Sequence, residues 1–319
     1  MQYYILHAAL AMFIVILLMP VSIYVLQNLK FGQKIRELGP SSHQDKEGIP
    51  TMGGAIFFPV IFFLSLFWMD IDINHGIILF VIFINWFLGV VDDFTVIRNA
   101  DAAGISGWIK LIFQAVSGLV LGLLMYYGGI GREVFLPVLA VHYDLGITVI
   151  PFAVLVMIST TNAVNLSDGL DGLAGGLIVL CLLFFLPFLL REGHSSLLIL
   201  SLQGAGVMLG FLWYNFYPAQ VFMGDAGSLM MGALIASVAL TSGFGLMLIL
   251  LGGIFVLETL SVIIQVLYYR LTDGKRIFNM TPLHHHFELA GWQESKVTFR
   301  FYILQIIFGL IALYLGFFW

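Results

Sequence analysis

Residues 173–190 read LAGGLIVLCLLFFLPFLL, eighteen consecutive positions without a charge. At 1.5 Å of rise per residue, such a run approaches the roughly 20 residues an α-helix needs to cross a hydrocarbon core of about 30 Å. Working outward, further apolar runs cover about 3–27, 52–69, 76–91, 108–127, 147–163, 197–215, 228–242, 245–268 and 298–318. Ten spans result. The third, fifth and eighth are short, and the boundary between the eighth and ninth rests on Thr241, Ser242 and Gly243, so a count of nine stays open. The first run reads as a retained helix, because Met1, Gln2, Tyr3 and Tyr4 carry no side-chain cation and the run outlasts an ordinary signal-peptide core.

Composition closes off other classes. Of 319 residues, 61% are hydrophobic and 10% charged, with a mean hydropathy of +1.03; a globular domain is usually nearer half apolar and a quarter charged. The roughly 195 apolar side chains leave no separate soluble domain. Unbroken runs exclude a membrane β-barrel, whose strands alternate. Cys181, the only cysteine, lies inside the quoted run and excludes a disulfide scaffold. The expectation is an all-α integral membrane protein, one polytopic domain over 1–319 without internal repeats.

Lys30, Lys34, Arg36, Lys46, Arg98, Lys110, Arg270, Lys275, Arg276, Lys296 and Arg300 lie in or beside one set of loops, and only Arg132 and Arg191 in the other. Because cytoplasmic loops carry the excess of Lys and Arg, ten transmembrane helices then have both termini outside. Five cytoplasmic loops follow, about 28–51, 92–107, 164–172, 216–227 and 269–297. The sizeable outer loop, 128–146, alternates apolar and polar residues around Pro137 and is expected to form a short hairpin.

The acids gather on the cation-rich side. Asp92 and Asp93 end the third run, Asp168 and Asp171 occupy NLSDGLDG (165–172), and Asp225 stands in FMGDAGS (222–228). One aspartate at a helix N-terminus is commonly a cap that satisfies orphan amides. Asp92 and Asp93 resist that reading: they follow a helix C-terminus, where the dipole disfavours anions, and adjacent carboxylates repel unless a cation or proton intervenes. All-oxygen ligands suit Mg²⁺ or Mn²⁺, and no Cys/His cluster indicates zinc. Gly169, Gly172, Gly175, Gly176, Gly224 and Gly227 flank the acids, and a helix N-terminus beyond a Gly-rich turn favours phosphate oxygens. Carboxylates and phosphate together call for a bridging metal, hence a metal-bound phosphate or diphosphate ester at the cytoplasmic face. Close helix packing is the competing reading, preferred for Gly175 and Gly176.

Two further loops carry polar residues. KEGIPTMGG (46–54) leads into the second run, and a lone loop lysine such as Lys46 is more often a positive-inside residue. TPLHHHFE (281–288) puts His284, His285 and His286 together. Three consecutive side chains cannot all face one metal on a helix, so hydrogen bonding to a substrate is favoured over ligation. Glu258 lies inside the ninth run. An intramembrane acid is a functional hypothesis by default, but with no partner visible in sequence a structural hydrogen bond or a protonated acid ranks ahead of catalysis.

PTMGG (50–54), the Asp92–Asp93 pair, NAVNLSDGLDGLA (162–174), Asn215 with FMGDAGSL (222–229), and PLHHHFE (282–288) resemble the phospho-N-acetylmuramoyl-pentapeptide transferase family over almost the full chain. That family lies within the polyprenyl-phosphate N-acetylhexosamine-1-phosphate transferase superfamily, and the His triplet marks the muramoyl branch. The resemblance implies ten helices with both termini outside, in a bacterial cytoplasmic membrane with the active site facing the cytoplasm. It implies transfer of phospho-MurNAc-pentapeptide from UDP-MurNAc-pentapeptide to undecaprenyl phosphate, giving lipid I and UMP, with Mg²⁺ as cofactor. The partners are thus a nucleotide sugar and a bilayer lipid, not a nucleic acid polymer. A homodimer is compatible with the sequence, which identifies no interface.

Carried over by position, the resemblance puts Asp225 on the metal and makes Asp92 the acid that deprotonates or orients the lipid phosphate, with Asp93 beside it. Asn165, Asp168, Gly169 and Phe222 would bind the uridine part, Phe222 stacking on the base. Lys46, Thr51, Asn215, Gln265, His284 and His285 would line the rest of the nucleotide-sugar site, with Asp171, His286 and Lys110 completing the binding set. One position departs: the family commonly has a lysine three residues after Asp93, where this chain has Val96. Any role of that lysine is absent or passes to Arg98 or to Lys110, which matches a second family lysine.

Attack of a phosphate dianion on a diphosphate brings like charges together, so a metal is expected to neutralise the diphosphate and the leaving UMP. An acidic phosphate needs little base, so Asp92 contributes positioning more than basicity. Direct transfer is preferred; a covalent aspartyl-phosphate stays open. Two rival readings fit less well. A relative transferring GlcNAc-1-phosphate is disfavoured by the His triplet. A transporter is disfavoured because the acids gather at one face rather than the midplane and no repeat is seen.

Overall fold

The apolar runs fold as helices in a computed structural model that describes residues 2–29, 46, 48–68, 72–98, 104–137, 139 and 141–317. The helices are α1 (Gln2–Asn28), α2 (Phe57–Trp68), α3 (Ile73–Arg98), α4 (Gly107–Gly128), α5 (Val149–Leu166) and α6 (Leu173–Arg191). They continue with α7 (Ser195–Asn215), α8 (Gly224–Thr241), α9 (Leu248–Leu251), α10 (Gly253–Leu271), α11 (Leu283–Leu289) and α12 (Glu294–Phe317). Among the described residues nine helices are long and apolar enough to cross a membrane: α1, α3 to α8, α10 and α12. The second apolar run supplies a shorter piece, a 3-10 turn (Gly53–Ile56) running into α2. Lys30, Lys34 and Arg36, counted for orientation, lie outside the described residues.

Helix α8 occupies the centre, buried along nearly its whole length between α3 and α5. Its sequence, GDAGSLMMGALIASVALT, explains the position. Small residues let helix backbones approach where lipid offers no hydrophobic drive. A Cβ on Gly232 would lie 2.6 Å from Thr161 Cα of α5, and one on Gly89 of α3 would run into the Asp225 carbonyl. Outside this centre, α1 packs on α7, α4 on α5, and α6 on α7 and α12. Gly175 and Gly176 face Leu212 and Tyr302, the packing role preferred from sequence. The outer faces expose Phe13 and Leu17 of α1, Trp108 and Ile112 of α4, Ile263 and Leu267 of α10, and Ile307 and Leu310 of α12. Apolar exposure on this scale is an interaction surface, and lipid is the matching environment.

The 128–146 loop forms the expected hairpin: β1 (Glu133–Leu136) pairs antiparallel with β2 (Val141–Asp144), Glu133 opposite Asp144. Phe135 N–H donates to Gly243 O at 2.8 Å, just beyond the C-terminus of α8. Asp225 lies at the other end of that helix, some 27 Å away by helix rise.

Two boundaries differ from the sequence reading. The third helix does not end before Asp92 and Asp93; it runs on to Arg98, because loss of apolarity marks membrane depth and not the end of backbone pairing. The ninth run is broken at Gly252. Buried Gln305 of α12 repairs the break, its Nε2 donating to Leu251 O at 2.5 Å and its Oε1 accepting Ile254 N–H at 3.1 Å. Within a bilayer, such backbone groups left unpaired cost several kcal/mol each.

Candidate active site

Successive residues on a helix point about 100° apart, and Asp92 and Asp93 use that divergence. Asp93 faces the start of α8, where its Oδ1 accepts Asp225 N–H and its Oδ2 accepts Ala226 N–H, both at 3.0 Å. It therefore caps a helix other than its own, satisfying orphan amides at a positive dipole end. An anion disfavoured toward the C-terminal part of its own helix is well placed at the neighbouring N-terminus. Glycine makes the approach feasible: Gly224 has φ +70°, and a Cβ there would lie 2.5 Å from Asp93 Oδ2.

Asp92 turns toward α4. Its Oδ1 accepts Ile105 N–H at 2.6 Å, and its Oδ2 lies 2.8 Å from Lys110 Nζ. Lys110 also reaches Asp225 Oδ2 at 2.6 Å. The other Asp225 oxygen accepts from Asn165 Nδ2 at 2.7 Å, and the same amide contacts Ser228 Oγ at 2.9 Å. Four helices thus bring Asp92, Asp93, Lys110, Asn165 and Asp225 together, with one ammonium between two carboxylates.

A second cluster lies across the 165–172 loop. Lys46 Nζ is 2.6 Å from both Asp171 Oδ1 and Glu294 Oε1. Burial pulls this ammonium down, but the hydrogen bonds and charges of the two acids outweigh it and hold it above its ordinary range. Asp171 Oδ2 accepts Ala219 N–H at 2.9 Å, and Asp171 N–H donates to Glu294 Oε1 at 2.6 Å. Glu294 is absent from the sequence-based set; its only signal was an acid at a helix start, which reads as a cap. Lys46 Nζ stands 5.8 Å from the Phe222 ring centroid. Phe222 N–H donates to Pro50 O at 2.8 Å and Gly53 N–H to Phe222 O at 2.9 Å, so Thr51 lies in a strip running beside Phe222. The Asn215 amide joins two loops, accepting Gly172 N–H at 3.0 Å and donating to Val221 O at 2.9 Å. Half-buried Asp168 lies between the clusters, and burial, then the charges of Asp225 and Asp171, push its carboxyl up to about 7.

The third group surrounds the α10–α11 loop. Gln265 Oε1 accepts Ile277 and Phe278 N–H, each at 3.0 Å, and its Nε2 donates to Phe278 O at 2.9 Å. Its amide organises the loop. The three histidines each face a different partner: His284 Nδ1 lies 3.2 Å from Glu258 Oε1, His285 Nδ1 2.8 Å from Glu288 Oε2, and His286 Nδ1 accepts Asn279 N–H at 3.2 Å. The third group meets the 165–172 loop at Gly169, which packs directly against the His284 ring.

The family model described as glycosyl transferase family 4 matches residues 75–243, from the first turn of α3 to just past α8. A protein from Brachyspira hyodysenteriae named phospho-N-acetylmuramoyl-pentapeptide-transferase is 40% identical, covering 96% of this chain and 91% of its own. Proteins of the same name from Clostridium botulinum strain Eklund 17B and Halalkalibacterium halodurans are 43% and 41% identical, covering 92% and 96% of this chain and 90% and 95% of their own. The chain belongs to the phospho-N-acetylmuramoyl-pentapeptide transferase family.

In this member of the transferase family, the 75–243 match contains the whole Asp92–Lys110–Asp225 group, while Lys46, Glu258, Gln265, the His triplet and Glu294 lie outside it. Among the described residues no three His, Cys, Asp or Glu side chains are assembled into a metal cage. Mg²⁺ does not need one: it is commonly held by one or two carboxylates together with substrate phosphates and water. Asp92 and Asp225, two oxygen donors already meeting around one cation, fit that requirement.

Proposed function

We propose that this enzyme transfers phospho-MurNAc-pentapeptide from UDP-MurNAc-pentapeptide to undecaprenyl phosphate in peptidoglycan synthesis, producing lipid I and UMP. The observation that carries the reading is the convergence of Asp92, Lys110, Asn165 and Asp225 at the capped N-terminus of α8, in a chain related over most of its length to proteins named for this activity. Asp225 would hold Mg²⁺, with Asp92 beside it. When bound, the metal supplies charge neutralisation at the diphosphate.

The chain's own residues do the rest. Asp93 fixes the first turn of α8 and so the direction of the Asp225 side chain. Lys110 offsets the charge of two carboxylates and is placed to meet phosphate oxygens. Asn165, Asp168, Gly169 and Phe222 would receive the uridine part, with Lys46, Thr51, Asp171, Asn215, Gln265 and the His triplet toward the remaining nucleotide-sugar. The lipid phosphate oxygen would attack the phosphorus bearing MurNAc, forming one P–O bond as the bond to UMP breaks. Counting the 53–68 piece as a short tenth span, the cation distribution puts both termini outside and this site on the cytoplasmic face of the inner membrane.

The test is UMP release by the purified protein. Release is expected to require both undecaprenyl phosphate and Mg²⁺ with UDP-MurNAc-pentapeptide as donor. Comparable turnover with UDP-GlcNAc would overturn the muramoyl assignment.

A further inference from the structure

Glu258 lies within α10, a helix long and apolar enough to cross the membrane, and its side chain is fully buried. A carboxyl group there costs several kcal/mol unless something compensates. The compensation is His284, 26 residues later in α11, also fully buried, with Nδ1 3.2 Å from Glu258 Oε1. A carboxylate at one ring nitrogen accepts its proton, selects the tautomer and fixes the ring plane.

The far sides of both groups are the unusual feature. Among the described residues, Glu258 Oε2 and His284 Nε2 find no hydrogen-bond partner, though both are buried. An unpaired buried polar atom is destabilising, so an apolar pair would pack here with less loss. The Nε2 edge abuts Gly169 so closely that any Cβ at that position would collide with it. Gly169 follows Asp168 directly and precedes Asp171 by two residues, so the ring forms the rear wall of the loop on which the two clusters meet.

We propose that Glu258 and His284 act as one positioning unit: the buried acid locks the imidazole, and the imidazole sets the Asp168–Gly169 backbone that receives the nucleotide end of a nucleoside diphosphate substrate. This rests on the reading that the 165–172 loop binds the nucleotide.

Calorimetric titration of UDP into the full-length protein in detergent, combined with UMP-release kinetics, tests it. Glu258→Leu should raise the UDP Kd and the donor KM about tenfold, the scale of losing a group that orients a histidine, while kcat changes less than about threefold. Glu258→Gln, which keeps an acceptor for Nδ1–H, should return both to within about threefold of wild type. Glu258→Leu combined with His284→Leu should be no worse than His284→Leu alone. Independently of any variant, ¹⁵N NMR of the wild-type protein should show a protonated Nδ1 in His284. An unchanged Kd in Glu258→Leu, multiplying effects in the double variant, or a bare Nδ1 would each overturn the unit. Failure of the wild-type protein to bind UDP would instead remove the reading on which it rests.

Discussion

Asp225 has 21% of its side chain accessible, against 6% for Asp92, its partner across Lys110. It is the carboxylate a soluble ion can reach. Asp225→Asn keeps the shape and the bond to Asn165 but removes the charge, so UMP release should vanish and should not return at any Mg²⁺ concentration; near-wild-type turnover would remove Asp225 from the metal site. Lys110→Met leaves two carboxylates facing each other without a counter-charge. The electrostatic loss should lower kcat by about 10²-fold or more, measured as UMP release at saturating substrates. A fall confined to KM would assign Lys110 to binding alone. Lys110 meets both Asp92 and Asp225, so one cation serves that carboxylate pair, and nothing in the structure explains Val96.

At the scale of elements, the site depends on α3 holding the start of α8. Asp93→Asn offers one acceptor oxygen where two amides need one each, and the lost cap should cost about 1–2 kcal/mol, seen as a lowered Tm in detergent. Gly89→Ala places a methyl group into the Asp225 carbonyl. The helices must part, and a shift of about 1 Å at reacting groups is worth about 10²-fold in rate; unchanged kcat would mean that the α3–α8 spacing does not set the chemistry. These elements also show what the sequence could disclose. Run length located the helices, alternation located the hairpin, and clustered Asp and Gly located the loops of the site. The end of α3 escapes because its last two turns, DDFTVIR (92–98), open on two adjacent acids that interrupt the apolar run, and the break at Gly252 because Gln305, its repair, lies on another helix. Glu258 with His284, and Lys46 with Glu294, are pairs separated by 26 and 248 residues. No local period joins them; only packing does.

Across the whole molecule, the acids of the site and the β1–β2 hairpin lie at opposite ends of α8, so one orientation in the membrane decides which face performs the reaction. The 128–146 hairpin loop has Arg132 as its single Lys or Arg, whereas Lys275 and Arg276 follow α10 on the side of the site. The positive-inside bias then sends the hairpin outward. This is measurable with single cysteines, because the native Cys181 is buried and should stay silent. Tyr143→Cys in exposed β2 should react with a membrane-impermeant maleimide on intact cells, and Lys275→Cys should react only after the membrane is opened. The reversed pattern would place the Asp92–Lys110–Asp225 group outside, away from any cytoplasmic nucleotide, and the proposed reaction would lose its donor even if every distance in the site stood.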